Sequence, residues 1–272
     1  MLVKKFGTPF HIMKRSKTDP YPGTQSVWRA FALLKSFSED HPRWALHELA
    51  KRHGYSKTTA HRLLSALEHE GFVEKDESAD TYGLGPAVME LAGRAMRSSS
   101  LHQASQAELK ALVDRVGETA SLEVLVEQDV LILDEIPAER LMTGRPWIGT
   151  RWPAYATSTG RAILALLSEE QRDAILRRPM KRFTPKTITD PVKLAAELEM
   201  AARHGFAVTE EELELGFTAV GSVVRGRSGE PVAALGIGGP SMRMTPDRIP
   251  QIGSLVRAAA ARVSARLGYK GK

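Results

Sequence analysis

Cysteine is missing from all 272 residues, which excludes disulfide frameworks, thiol nucleophiles, thiolate zinc sites and iron–sulfur clusters together and suits a reducing compartment. Long apolar runs are missing too. No stretch approaches the roughly 18 to 20 residues that span a bilayer, and the start MLVKKFGTPFHIMKRSK lacks the apolar centre of a secretory signal, so a cytoplasmic protein with no membrane partner is expected. Repeats and low-complexity tracts are absent. What is present, 42% hydrophobic and 26% charged residues, is the composition of an ordinary globular chain long enough for two cores. The net charge of +6 is modest, but its distribution is uneven. Residues 43–62 carry Arg43, Lys51, Arg52, Lys57 and Arg62 against Glu48 alone, net +4, whereas residues 71–80 carry Lys75 against Glu74, Asp76, Glu77 and Asp80, net −3. Cationic character is concentrated on one candidate helix pair.

Residues 1–23 are basic, contain Pro9, Pro20 and Pro22 and show no period, which reads as a flexible arm. From Ser26, a candidate N-cap, Val27, Ala30, Phe31, Leu34 and Phe37 recur at helical spacing until His41-Pro42. A short helix follows with Leu46, Leu49 and Ala50 inward and Gly54 at its end. Ser56 can cap a third helix whose Ala60, Leu63, Leu64 and Leu67 form one apolar stripe, closed by Gly71. Two alternating strands at 72–76 and 81–84 then make a hairpin. Helix, helix, tight turn, helix and hairpin together are the layout of a winged helix-turn-helix, in which the third helix enters the major groove of double-stranded DNA. On its polar side stand Lys57, Thr58, Thr59, His61, Arg62 and Ser65, cations and short hydroxyl groups suited to phosphates and base edges; Arg29, Arg43 and Lys75 are candidates for flanking backbone contacts.

A helix over 86–97 links this region to a second one, with the boundary near Ser98-Ser99-Ser100. The expected organisation is an arm at 1–23, the winged helix-turn-helix at 24–85, a linker helix at 86–100 and a ligand and oligomerisation domain at 101–270. Within the last, a helix is expected at 101–116 and a hairpin at 121–127 and 130–135 that turns at Gln128-Asp129. Further helices are expected at 158–167, after the capping box Ser168 to Gln171, from Asp190-Pro191 to His204-Gly205, and from near Pro250 to Leu267. Strands are expected at 206–211, 219–225 and 231–237, giving an α+β fold with an antiparallel sheet. In the stretch from Arg145 to Arg161, Trp147 and Trp152 stand beside a small-residue turn that opens a helix at Thr157, Ser158 and Thr159. Unpaired backbone N–H groups at such a turn suit a carboxylate, so a small organic acid is the expected ligand.

Other chemistries are weaker. Residues 156–160, A-T-S-T-G, resemble a serine nucleophile elbow that has lost its first glycine, with His204 alone downstream as a base. Gly236 to Gly239 make no dinucleotide fingerprint, and His47, His53, His61 and His69 fit no familiar zinc spacing, so no cofactor or metal is expected. A hydrolase using Ser158 and a DNA-binding architectural protein without a ligand remain alternatives at this point.

The sequence resembles the IclR family of bacterial transcriptional regulators from residue 26 to 269. The resemblance is carried by S-V-W-R-A-F at 26–31, H-E-L-A-K-R-H-G-Y-S-K-T-T-A-H-R-L-L at 47–64 and Y-G-L-G at 82–85. It continues with P-A-Y-A-T-S-T-G-R-A at 153–162, T-I-T-D at 187–190, G-F-A-V-T-E-E-E-L-E-L-G at 205–216 and G-G-P-S-M-R-M at 238–244. It implies a winged-helix domain, a linker helix and a GAF-like effector domain, assembled as a homodimer or homotetramer that represses or activates catabolic operons, with RNA polymerase a further partner. By motif position it places DNA contacts on Arg29, Lys57, Thr58, Thr59, His61 and Arg62, and effector contacts on Ser158, Thr159, Thr209, Ala219, Gly236 and Gly238. The sequence departs from the family pattern here. Thr209 stands for a frequent aspartate, Ala219 for a cysteine of some members, and Gly236 and Gly238 for serines, which removes polar partners and opens volume. With Trp147, Trp152 and Phe217 as further candidates, a larger or aromatic acid is expected over a two-carbon one.

Overall fold

The computed structural model describes residues 21–138 and 147–271, which divide into two compact units that part between Ser99 and Ser100. In the first unit α1 (Gln25–Leu34), β1 (Arg43–Ala45), α2 (Leu46–His53), α3 (Lys57–His69), β2 (Val73–Asp76), β3 (Thr81–Leu84) and α4 (Pro86–Ser98) follow in order. Leu33, Leu49, Leu64, Val73 and Tyr82 form its core, one residue from nearly every element. Local signals act where they stand in the sequence. The Ser56 hydroxyl accepts the Thr59 N–H at 3.1 Å, a cap of a kind that contributes about 1 kcal/mol. Gly54, at φ +65°, takes the left-handed conformation that ends α2 and turns the chain into α3.

The first helix differs from expectation. Thr24, not Ser26, occupies the cap position, and the helix stops at Leu34, well before His41-Pro42. Its buried edge is Leu33, with Leu34 and Phe37 beside it, while Val27 and Phe31, expected inward, are 53% and 54% exposed. Two overlapping apolar stripes share this helix, and packing against Leu49 and Leu64 selects the one centred on Leu33. The wing also has a third strand. Arg43–Ala45 pairs antiparallel with Thr81–Leu84, so the order is β1-β3-β2.

The second unit opens with α5 (Ser100–Val116) and is built on one antiparallel sheet in the order β6-β5-β4-β9-β8-β7. The strands are β4 (Thr119–Val126), β5 (Asp129–Ile136), β6 (Arg151–Pro153), β7 (Ala207–Glu210), β8 (Phe217–Arg225) and β9 (Pro231–Pro240). Alternate residues face opposite layers. Leu122, Val124, Val220, Leu235 and Ile237 pack with α5 and α9 (Ile249–Arg266), while Leu125, Val223 and Ala234 pack with α6 (Ser158–Leu164) and α8 (Pro191–His204). A short α7 (Glu169–Leu176) starts at the Ser168 capping box. Several boundaries move from those expected, with β4 and β8 each starting two residues earlier. The hairpin turns at Glu127-Gln128, with Glu127 at φ +62°, α6 ends at Leu164, and β9 runs three residues past Ile237. β6 has no counterpart among the expected strands.

Candidate nucleic-acid interface and ligand cradle

α3 turns Ala60 and Leu64 wholly into the core and leaves Lys57, Thr58, His61 and Arg62 exposed, with Thr59 and Ser65 half-buried. Among the described residues, no carboxylate pairs with Lys57 or Arg62. The Thr59 hydroxyl lies 2.9 Å from that of Ser56 and takes part in the cap. The flanking cations are differently placed. Arg43 sits between Glu74 at 3.3 Å and Asp76 at 3.6 Å, and Lys75 between Glu77 at 2.9 Å and Asp80 at 3.4 Å, so wing carboxylates already neutralise both. Arg29 lies over the Tyr55 ring at 5.5 Å, drawn to the turn between α2 and α3, and remains exposed. Behind the helices His53 Nε2 lies 2.6 Å from the Ser36 hydroxyl; burial, and then the nearby Arg52 charge, hold its pKa below the usual histidine value.

In the second unit the sheet face toward α6 carries two rows of small or polar residues. One runs Glu135, Ser121, Gly236 and Gly221 across β5, β4, β9 and β8; the next runs Thr119, Gly238, Ala219 and Thr209. The glycines permit close approach. A Cβ on Gly221 would lie 2.5 Å from the Thr159 nitrogen, so the first turn of α6 rests on the β8 backbone with Ser158 beneath it. A Cβ on Gly236 would lie 2.8 Å from both the Ser121 hydroxyl and the Thr159 methyl. The Phe217 ring covers Gly238 and borders Ala219.

Sequence reasoning missed the most buried ionisable group here. Glu123 is 8% exposed and accepts hydrogen bonds from Ser121 Oγ at 2.7 Å and Thr159 Oγ1 at 2.6 Å. A break in register between Leu122 and Glu123 re-aims the strand at this point. Burial pushes the Glu123 carboxyl above the usual carboxylate range, against the two hydroxyl bonds. Glu135 is also raised, chiefly by burial, and accepts a hydrogen bond from the Trp147 backbone N–H. The one sequence signal for Glu123 was a lone carboxylate inside the apolar run Leu122 to Val126.

The structure therefore brings Ser158, Thr159, Thr209, Phe217, Ala219, Gly236 and Gly238 together where α6 meets one face of the sheet. Trp147 reaches its rim through Glu135. Trp152 contacts the Trp147 ring edge-on at 5.8 Å but packs in the apolar cluster around Leu125 and Val130. The Thr157 side chain is engaged in capping α6, where it accepts the Gly160 N–H at 3.2 Å. Arg145 and Pro146 lie outside the described residues. Ser158 is buried, and His204, the base a hydrolase would need, stacks on Phe206 at the end of α8. No group of three or more His, Asp or Glu that could hold a metal occurs among the described residues.

Three of the quoted motifs meet away from this face, in an ionic latch. Arg161 in α6 is 1% exposed; its guanidinium forms a two-point pair with Glu212, Nη1 to Oε1 at 2.7 Å, and its Nε donates to the Tyr155 carbonyl at 2.8 Å. Thr187 Oγ1 donates to the Glu212 carbonyl at 2.6 Å, and the Ile188 N–H reaches the Glu212 carboxylate at 3.2 Å. Motif residues that sequence resemblance associates with a ligand site thus also lock α6, the 184–188 loop and the β7–β8 connection together.

A helix-turn-helix unit with an open cationic third helix, joined to an α+β unit whose sheet carries rows of small residues under α6, defines a DNA-binding regulator of two-domain type. Residues 26–77 match the IclR helix-turn-helix domain, and residues 93–265 match the bacterial transcriptional regulator IclR C-terminal domain. The chain belongs to the IclR family of transcriptional regulators. It is 32% identical over 255 residues to the acetate operon repressor of Salmonella typhimurium, covering 92% of this chain and 93% of that protein. Among solved structures it is similar to an IclR regulator from Alicyclobacillus acidocaldarius, with a TM-score of 0.82, 29% identity and coverage of 89% of this chain and 98% of that one. It is also similar to an IclR homologue from Microbacterium hydrocarbonoxydans complexed with 4-hydroxybenzoate, with a TM-score of 0.78, 26% identity and coverage of 89% and 99%. The relatives named here are regulators; members of the family bind effectors and oligomerise. No helix among the described residues is long and apolar enough to cross a membrane.

Proposed function

We propose that the chain is a one-component, sequence-specific regulator of a catabolic operon that senses a small organic acid, with an aromatic acid favoured. The observation that carries the DNA-binding half is the face of α3, where Lys57, Thr58, His61 and Arg62 stand exposed on a helix whose other side is fixed in the core. Arg29, Thr59 and Ser65 lie at the margin of that face, while Arg43 and Lys75 contribute less because wing carboxylates hold them. Phosphate contacts set register on the duplex, and Arg62 reads a base edge.

The ligand half rests on the cradle of Ser158, Thr159, Thr209, Phe217, Ala219, Gly236 and Gly238, with Trp147 at the rim and Thr157 and Trp152 as support. The volume expected at Gly236 and Gly238 is taken up by the Thr159 methyl and the Phe217 ring, so the aromatic preference is supported by that ring as a stacking partner and by a relative of the same fold crystallised with 4-hydroxybenzoate. The working assembly is a homodimer or a pair of dimers in the cytoplasm. On α1 the exposed Val27, Trp28 and Phe31 form an apolar face of the kind that covers itself by self-association. A symmetric pair reads a near-palindromic operator, and the ligand alters the spacing of the two reading heads or recruitment of RNA polymerase.

The test is capture of fragments from the source genome by the purified chain at low ionic strength, followed by competition with the acids. Recovery of a few fragments with near-palindromic sequences is expected. Retention of none, or of all fragments equally, would overturn sequence-specific regulation.

A further inference from the structure

β7 covers only part of the β8 edge, and a cleft stands where the strand stops. β7 pairs with Thr218 to Gly221, so the stretch from Ser222 to Arg225 has no strand beside it on that side. The space is a cavity of about 400 Å³ bounded by β8, α6, α8, α9 and the residues that follow α9. That volume lies within the range of small-molecule sites. Its walls are apolar, with Ala162, Leu166, Ala201, Val223 and Ala261 among them. The two serine hydroxyls of the lining are already used. Ser222 Oγ donates to the Gly205 carbonyl at 2.7 Å, and Ser264 Oγ donates to the Ala260 carbonyl at 2.7 Å while accepting the Arg225 N–H at 2.8 Å.

Charge in the cleft has one sign. Arg225, Arg257 and Lys270 line it, no Asp or Glu does, and none of the three cations forms an ion pair among the described residues. Neutral acceptors hold the two arginines in place. Arg257 Nη1 donates to the His204 carbonyl at 3.1 Å, and its stem crosses Gly205, where a Cβ would lie 2.7 Å from Arg257 Cδ. Arg225 Nη1 donates to the Gly229 carbonyl at 3.0 Å, and its guanidinium lies over the Tyr269 ring at 5.7 Å. A guanidinium has five N–H donors, so most remain for an anion, and prior placement lowers the cost of ordering them.

We propose that this cleft is a second ligand site, separate from the cradle, that takes an anion with a short aliphatic body, a medium-chain carboxylate. The body lies on the alanine, valine and leucine walls, and the carboxylate meets Arg225, Arg257 and Lys270. No residue of the cradle lines the cleft, so the site stands whatever the cradle binds. Tyr269 is the one ring in the lining and Arg225 already faces it, so the walls offer methyl groups rather than a stacking partner.

The experiment titrates the full chain by calorimetry at low ionic strength with octanoate, octanol, octylamine and acetate. Octanoate is repeated with Ala261→Trp, with Ala265→Trp one turn on, and with an Arg257→Gln, Lys270→Gln double variant, each checked for folding by thermal unfolding. Ala261 and Ala265 are exposed in the lining, so an indole at either fills the cleft from the solvent side. Wild-type protein is expected to bind octanoate about ten- to a hundredfold more tightly than octanol, the effect of one hydrogen bond to a charged group, and octylamine and acetate no better than octanol. Both tryptophan variants should lose one octanoate per chain, and the double variant should hold octanoate no better than wild type holds octanol. An unchanged number bound in the tryptophan variants overturns the location. Octanol or octylamine bound as tightly as octanoate overturns the choice of an anion, and acetate bound as tightly overturns the aliphatic body. Absence of octanoate binding by wild type overturns the site; if Ala261→Trp then also changes the oligomeric state in sedimentation, the cleft belongs to a second copy of the chain instead.

Discussion

On the DNA-reading unit the decisive charges stand in water; on the ligand unit they lie beneath the surface. Lys57 and Arg62 are held in place by the leucines on the back of their helix and have no ionic partner among the described residues, so their charge is available to a polyanion. Arg43 and Lys75, a few residues away in the fold, are engaged by four wing carboxylates. In the other unit Arg161 and Glu212 satisfy each other completely, while Glu123 has hydroxyls but no counter-ion among the described residues. The lesson is common to both units. A charge with its partner inside the protein maintains structure, whereas an exposed charge without one, as on α3, stays available to a polyanion.

The largest effect should come from breaking the completed pair. Arg161→Ala leaves Glu212 buried without its cation and is expected to lower the stability of the ligand unit by about 3–5 kcal/mol, measured by denaturant unfolding. Wild-type stability would remove the latch from the account. Next, Arg62→Ala should weaken operator binding by about 1–3 kcal/mol, whereas Lys75→Ala should cost less because its charge is already matched. Equal losses from the two variants would erase the distinction between open and matched cations.

The lone carboxylate and the half-buried histidine respond to pH with opposite signs. The Glu123 pKa is raised on folding, so its contribution is fully present below the ordinary value of 4.5 and is lost as pH rises through the higher folded value. Glu123→Gln should flatten that loss in thermal unfolding of the second unit without lowering its stability at neutral pH. The His53 pKa is lowered, so its contribution is present above 6.5 and is lost as pH falls through the folded value. Mild acid should therefore loosen the reading unit slightly, and a His53→Gln variant should lose that response.

Features set by neighbours in sequence were legible before any coordinates. Ser56, Gly54, the Ser168 capping box and Asp190-Pro191 all act through the chain within three residues, and each stands at its helix boundary. The polar side of α3 follows from one stripe of leucines and alanine. Features set by distant partners were not legible. β1 and β6 are three residues long and exist because β3 and β5 accept them as neighbours. α1 carries two apolar stripes, and only the positions of Leu49 and Leu64 decide between them. Of the cradle, Thr159 was legible from the small-residue turn that opens a helix and Gly236 and Gly238 entered through resemblance, but Glu123 did not, because its hydroxyl partner Thr159 lies 36 positions away in the chain and nothing local records the contact.

The central claim is that the exposed cations of α3 meet DNA phosphates and bases directly, and the salt dependence of operator affinity tests it. Comparing wild type with a Lys57→Ala, Arg62→Ala double variant between low and moderate salt, the slope of log affinity against log salt should fall in magnitude by about 0.9 for each phosphate contact removed. An affinity and a slope unchanged in the double variant would contradict the account.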